Sequence, residues 1–392
     1  MNGSKLKPLH LSYAEFISAL VVKVLLGFVY GYIYLNYYNG DDTWRHFNAS
    51  LTETKLLLEN PAVFFRNEYT PTHSIEIADN WKQATLYYLN DLQYALFVKS
   101  FAIVNLITGG NYYLNSIVYN IIVFFGHYRL FVLLTHYYPD KRKYLFLSVF
   151  FFLPAVFWLS GFRIDGVVFF FFTLFIYHLA IRSSSGRRRM AYILAGYMGL
   201  IVCRIEVALY LLPAVIAYFI SLRKKKSLGI YLSVYALATL LFLATSYLPG
   251  GGLPARVANI QHRFLALEGT RFQLMKLDHT PVSYVKTLPQ AFANTFLKPF
   301  PWETNGFLQL MAGVEIIIFW LLVILVIFNM ESDWRIRLQS RLILLFLFFS
   351  VSLYLAVGYT VPFPGAIIRY KALAELLLVS CMAILVRSKR PL

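Results

Sequence analysis

The chain has 392 residues, of which 59% are hydrophobic, 18% aromatic and only 14% charged. Soluble domains carry roughly 25% charged residues, so this composition excludes an ordinary soluble enzyme and predicts an all-α polytopic membrane protein. The net charge of +17 does not point to nucleic acid, because Lys and Arg fall in short clusters between apolar runs, the pattern of cytoplasmic loops.

In chain order, Lys5 and Lys7 precede a first apolar run over residues 14–37, which has no small-residue cleavage motif and reads as an uncleaved span with a cytoplasmic N-terminus. Residues 38–112 form a large external segment. It contains the amphipathic stretch TETKLLLENPAVFFRNEY and the apolar stretch LQYALFVKSFAIVNLITGG (92–110), with Lys99 in the middle of the latter. Further spans are predicted at 113–135, 144–160, 165–182, a tight hairpin of 189–204 and 206–222 around Cys203, then 227–248, 309–330, 340–360 and 365–387. Each approaches the roughly 20 residues that a crossing helix needs, for about 10 transmembrane helices in all. A second external segment, 249–308, carries ARVANIQHRFLALEGTRFQLMKL. The natural division is an N-terminal module over 1–222 and a C-terminal module over 223–392.

Charge checks this order. Lys5 and Lys7, Lys141–Lys143, Arg182 with Arg187–Arg189, Arg223–Lys226, Arg335 with Arg337 and Arg341, and Arg387 with Lys389 and Arg390 all fall on one side if the count of spans holds. One miscounted span would break the alternation. It requires 92–110 to lie on the membrane surface or re-enter without crossing, with Lys99 on a polar edge. Both termini are then cytoplasmic. Cys203 and Cys381 lie in or beside apolar segments and suggest neither a disulfide framework nor a metal site.

Acidic residues number only 19, so their positions carry information. Asp41 and Asp42, in NGDDTWRHF, follow the first span, and Asp165, in the turn SGFRIDG, opens the fourth. Carboxylates at a membrane boundary are costly to desolvate unless they face water, pair with a cation or hold a ligand. The plain alternatives are a solvated helix cap for Asp41 and Asp42, and an ion pair with Arg163 or a helix N-cap for Asp165. The functional reading has all three above one outward cavity, where adjacent carboxylates raise one another's pKa and suit a general base. On the same side lie Arg163, Arg204 and Glu206 (in VCRIEVA, where the last two could simply neutralise each other), His262 and Arg263. Arg369 and Lys371 follow in VPFPGAIIRYKAL. Arginine binds phosphate bidentately, so these side chains are candidates to contact a lipid phosphate, the alternative for Arg369 being snorkelling to the interface. The chain lacks P-loop, GxGxxG, HExxH, GxSxG and CxxC motifs.

The NGDDTWRHF motif after the first span, the surface helices beyond it, and the segment FFLPAVFWLSGFRIDGVVFFFFTLFIYHL together resemble the N-terminal module of the GT-C class of membrane glycosyltransferases, over roughly residues 10–220. The resemblance implies transfer of a sugar from a polyprenyl-phosphate-linked donor to a glycan, lipid or protein acceptor on the extracytoplasmic face, in a bacterial inner membrane. Asp41 or Asp42 would match the acidic motif of the first loop, and Asp165 the acidic position of the second. Arg163, Arg204, Glu206, His262, Arg263, Arg369 and Lys371 would be substrate contacts on chemistry rather than motif. Some members of the class use a divalent metal such as Mg or Mn; the adjacent DD lacks DxD spacing, which leaves metal use undecided. The SGFRID turn and VPFPGAIIRYKALAELLL are also similar to bacterial multi-span proteins of sugar-polymer synthesis, including oligosaccharide repeat-unit polymerases. A transporter or flippase of lipid-linked sugars is a rival from another class, against which stand the absence of repeated halves and of paired broken helices. A scaffold without chemistry is a further rival, and it predicts that the charged residues do not converge.

Overall fold

The computed structural model describes residues 10–66, 81–181, 186–223, 227–267, 271–300, 302 and 306–387. Lys5, Lys7, Arg182, Lys224–Lys226, Lys389 and Arg390 of the charge pattern lie outside these residues. The described residues form helices α1 (Tyr13–Tyr37), α2 (Asp41–Glu59), α3 (Pro61–Arg66), α4 (Trp81–Tyr94), α5 (Ser100–Thr108), α6 (Tyr112–Tyr137), α7 (Arg142–Phe151), α8 (Leu153–Trp158) and α9 (Ile164–Ala180). They continue with α10 (Gly186–Ser221), α11 (Ser227–Ala244), α12 (Gly252–Leu265), α13 (Pro281–Phe296), α14 (Phe307–Phe328), α15 (Trp334–Leu338), α16 (Arg341–Thr360) and α17 (Pro364–Leu385), with no β-strand among the described residues.

Among the described residues six helices are long and apolar enough to cross a membrane: Tyr13–Tyr37, Tyr112–Tyr137, Gly186–Ser221, Ser227–Tyr247, Gln309–Phe328 and Arg341–Thr360. The protein is therefore all-helical and membrane-embedded. Ile164–Ala180 is apolar but shorter. The 22-residue α17 carries Arg369, Lys371 and Glu375 within it.

Three local features refine the predicted order. The run 144–160 breaks at Phe152 (φ −74°, ψ 85°), where Pro154 cannot donate to the preceding turn. The pair 189–204 and 206–222 is one helical stretch in which Arg204 alone is non-helical, at φ −164° and ψ 90°. The Tyr197 hydroxyl nonetheless lies 3.4 Å from the Ala208 carbonyl. Eleven residues of straight helix would separate those positions by about 16 Å, so the axis turns sharply at Arg204. Finally, 92–110 runs from the end of α4 through a π turn at Ala95–Lys99 into α5. Lys99 does not sit on a polar edge as the sequence predicts. It is buried, donates to the Phe64 carbonyl at 2.6 Å and pairs with Glu53 at 3.7 Å, because the helix is covered by α2 and α3.

The chain forms two compact units. The first comprises Met1–Pro139 and Val149–Ala208, the second Asp140–Ser148 and Leu209–Leu392. The chain passes between them at 139/140, 148/149 and 208/209, the last inside α10, where the sequence division was at 222/223. In the first unit α6 packs against α1 and α9, and α2 against α5. A Ser12–Glu15 capping box starts α1, and the Asn111 side chain caps α6. Small residues permit the close approach: a Cβ on Gly27 would stand 2.3 Å from the Asn120 amide. In the second unit α16 packs on α17 and α13, and α14 on α17. The segment 249–308 supplies α12 and α13, and the Gln261 side chain of α12 donates to the Met275 carbonyl and to the Tyr359 carbonyl of α16.

Candidate functional site

The site in the first unit begins at the end of α1. Asn39, Gly40 and Asp41 adopt φ of +51°, +90° and +42°, a left-handed reversal that lets α2 start at once. Asn and Gly accept this region readily; Asp41 does so with some strain. Trp44 fastens the reversal. Its indole donates to the Gly31 carbonyl at 3.0 Å and stacks on Tyr112 with 4.0 Å between ring centroids. Asp41 and Asp42 thus occupy the first turn of α2, where the helix dipole favours carboxylates.

The SGFRID turn is held with equal definition. Gly161 lies against the Tyr30 ring, which a Cβ would meet at 2.6 Å. Phe162 is fully buried among Phe97, Phe101, Tyr112 and Tyr119. The Tyr119 hydroxyl donates to the Arg163 carbonyl at 2.6 Å. With Phe162 anchored, the extended Arg163 (φ −150°, ψ 166°) sends its guanidinium to the start of α2.

There Arg163 binds both carboxylates. Its Nη1 donates to Asp41 at 2.8 Å and to the Tyr30 hydroxyl at 3.3 Å, and its Nη2 donates to Asp42. Asp165, two residues on, pairs with Arg204 at 2.8 Å. Arg204 reaches it from the sharp turn in α10. Arg45, mostly exposed, adds a 3.5 Å contact to Asp42. Residues about 120 positions apart in sequence therefore meet at one end of α1, α6 and α9.

His46 belongs to the same cluster. Burial pushes its imidazole down from 6.5 to about 4; Asp42 pulls it back up, Arg163 and Arg45 push it further down, and Asp165 pulls it up. Its ring lies edge-on to Phe97 with centroids 5.4 Å apart. It is neutral near pH 7 and can accept or donate a single hydrogen bond. The sequence reading passed over it, although Asp42 and His46 stand at i and i+4 on one helix face.

Several expectations are corrected at this point. Arg204 does not neutralise Glu206, which is exposed; it pairs with Asp165, because the turn at Arg204 aims the guanidinium at the start of α9. Asp165 also acts electrostatically on Arg163, with Arg204 as its close ion-pair partner. The Arg163 guanidinium is buried and engaged by two carboxylates, and so is a support for Asp41 and Asp42 rather than a ready phosphate contact.

His262, Arg263, Arg369 and Lys371 belong to the second unit. His262 and Arg263 are exposed in the last turn of α12, and the His262 ring bonds the Leu277 carbonyl at 3.1 Å. Arg369 lies over the Tyr370 ring at 4.6 Å and donates to its hydroxyl at 2.9 Å. Lys371, expected to contact substrate, is instead fully buried. It pairs with Glu315 at 3.2 Å and lies 4.0 Å from Glu375, since residues 371 and 375 face α14 from one side of α17.

Among the described residues no group of three His, Cys, Asp or Glu side chains is arranged to hold a metal ion. The first-unit cluster brings together three carboxylates, the guanidiniums of Arg163, Arg204 and the mostly exposed Arg45, and the His46 imidazole. No family model, curated protein or solved structure matches the chain.

Proposed function

We propose that the protein is an integral membrane glycosyltransferase that moves a sugar from a polyprenyl-phosphate-linked donor to an acceptor hydroxyl. One observation carries the reading. Asp41, Asp42 and Asp165, from two distant loops, are drawn with Arg163 and Arg204 into one cluster at the end of membrane-spanning helices. A scaffold without chemistry has no need of that convergence.

In this reading Asp41 or Asp42 takes the proton from the acceptor hydroxyl as its oxygen attacks the anomeric carbon. The bond from that carbon to the phosphate oxygen breaks, and the departing lipid phosphate carries the negative charge. Arg204, on the sharp turn of α10 and 24% exposed, is the cation best suited to that charge, a role of the oxyanion-stabilising type. Arg163 holds the two carboxylates in place. About ten spans, cytoplasmic termini and an outward-facing cluster complete the proposal, on the strength of the basic residues between the apolar runs.

The test is the pair of variants Asp41→Asn and Asp42→Asn, assayed for glycan product with protein level held equal. Loss of a general base lowers turnover by roughly 10²–10⁴-fold, so one of the two should fall by that much. Normal product in the double variant would refute the reading.

A further inference from the structure

The far end of the same helices shows a second charged group that the cluster above does not involve. On α6, Arg129 follows Tyr119 by ten residues, about 15 Å along the axis; on α9, His178 follows Asp165 by thirteen, about 20 Å. Both therefore lie toward the opposite end from the Asp41–Arg163 contact. Arg129 lies over the Phe170 ring at 4.6 Å, and its Nη1 is buried with no hydrogen-bond partner among the described residues. His178 stacks on Tyr192 of α10 at 4.5 Å and 18°, and its Nδ1 is likewise buried without a partner. Arg189, at the start of α10, donates Nε to the His178 carbonyl at 2.7 Å and Nη2 to the Leu179 carbonyl at 2.9 Å.

The charged and titratable neighbours of this group are specific. His178 feels Arg129 and Arg189, and Arg129 feels Tyr177 and Tyr192. No carboxylate stands among those neighbours. The connection RSSSGRRRM, residues 182–190, holds four arginines and no acid. The last carbonyls of α9 account for Arg189, which caps them as a basic residue does at a helix C-terminus. They do not account for Arg129, whose buried Nη1 has no acceptor among the described residues. Leaving a charged donor unsatisfied at a membrane boundary is costly.

We propose that Arg129, His178 and Arg189 form a binding site for the phosphate of an anionic membrane lipid, at the opposite end of the first unit from the carboxylate cluster. A phosphodiester supplies one negative charge and acceptor oxygens for the unpartnered nitrogens of Arg129 and His178. Tyr192, about half exposed beside His178, suits the interface where such a headgroup lies. Basic pockets between spanning helices bind anionic headgroups in this manner.

The experiment uses the full chain in nanodiscs, with unfolding followed by intrinsic fluorescence and bound lipid counted by native mass spectrometry. Phosphatidylglycerol in a phosphatidylcholine background should raise the unfolding midpoint and remain bound. Inorganic phosphate at the same concentration should do neither. Arg129→Gln should weaken phosphatidylglycerol retention by about tenfold, the effect of losing one charge-assisted contact. Arg129→Lys should weaken it less, and Arg256→Gln in α12 not at all. If Arg129→Gln does not fold, Arg189→Gln carries the same prediction. Equal retention by wild type and both glutamine variants overturns the proposal, and an equal response to inorganic phosphate overturns the lipid as its source.

Discussion

In the first unit Asp41 and Asp42 share the Arg163 guanidinium with 40% and 37% of their side chains exposed, whereas in the second unit Lys371, Glu315 and Glu375 are 2%, 4% and 0% exposed. The residue types are alike: acidic side chains gathered on one cation, at the start of α2 in the first unit and within α14 and α17 in the second. Their surroundings make them different objects. A half-exposed carboxylate can release its arginine, meet water and take a proton within one catalytic cycle. A sealed one cannot, because every charged state it passes through must be desolvated. Under the proposed function the first cluster is the one placed to meet a substrate, whereas the second ties α14 to α17. Lys371 looks like a phosphate ligand in sequence, and its burial gives it the other role.

The sharpest way to break this contrast is to remove each cation in turn. Lys371→Met removes the ammonium that faces both buried carboxylates, Glu315 and Glu375, which costs about 3–5 kcal/mol. The thermal midpoint in detergent should drop steeply, or the protein should fail to accumulate. A midpoint within error of wild type would mean that the triad reaches water, and the comparison would collapse.

Arg163→Met is expected to cost less, about 1–3 kcal/mol, because Asp41 and Asp42 regain water when their partner is lost. Its effect on product formation should be the larger one, since both carboxylates lose their orientation. Arg163→Lys restores charge without the planar fork and should recover stability more fully than activity. If Arg163→Met destabilises as much as Lys371→Met, the first cluster is also mainly structural.

The distinction was only partly legible in the chain. Apolar periodicity and the positions of Lys and Arg mark the long helices, because burial in lipid demands unbroken apolar runs. The positions of Asp41, Asp42 and Asp165 beside span ends identified them as unusual. What could not be read was the pairing. Arg204 reaches Asp165 through a single non-helical residue within an otherwise helical sequence, and Glu206 two positions away looked the better partner. Lys99 and Lys371 sit in apolar stretches that resemble a surface helix and a span end, yet tertiary cover from α2 and α14 seals both. His46 was hidden by its ordinary setting in TWRHF; only the packing of Phe97 and the neighbouring charges give it a perturbed imidazole.

That imidazole gives the smallest of the expected effects and the most specific to the first cluster. Burial holds His46 at about 4 in the folded protein against 6.5 for the unperturbed ring. Between those values the unfolded chain binds a proton that the folded chain does not, so stability rises with pH across the window. It is fully present above about pH 6.5 and declines as pH falls toward 4, by about 1–2 kcal/mol between pH 7 and pH 5. Glu53, raised by its burial and opposed by Lys99, titrates with the reverse sign, so the total slope mixes both groups. The difference between wild type and His46→Asn isolates the histidine. The variant should lose the positive part of the slope while its midpoint near pH 7 changes little. Identical pH profiles for the two proteins would mean that the His46 ring is solvated, and that the cluster around Arg163 is more open than its packing against Phe97 requires.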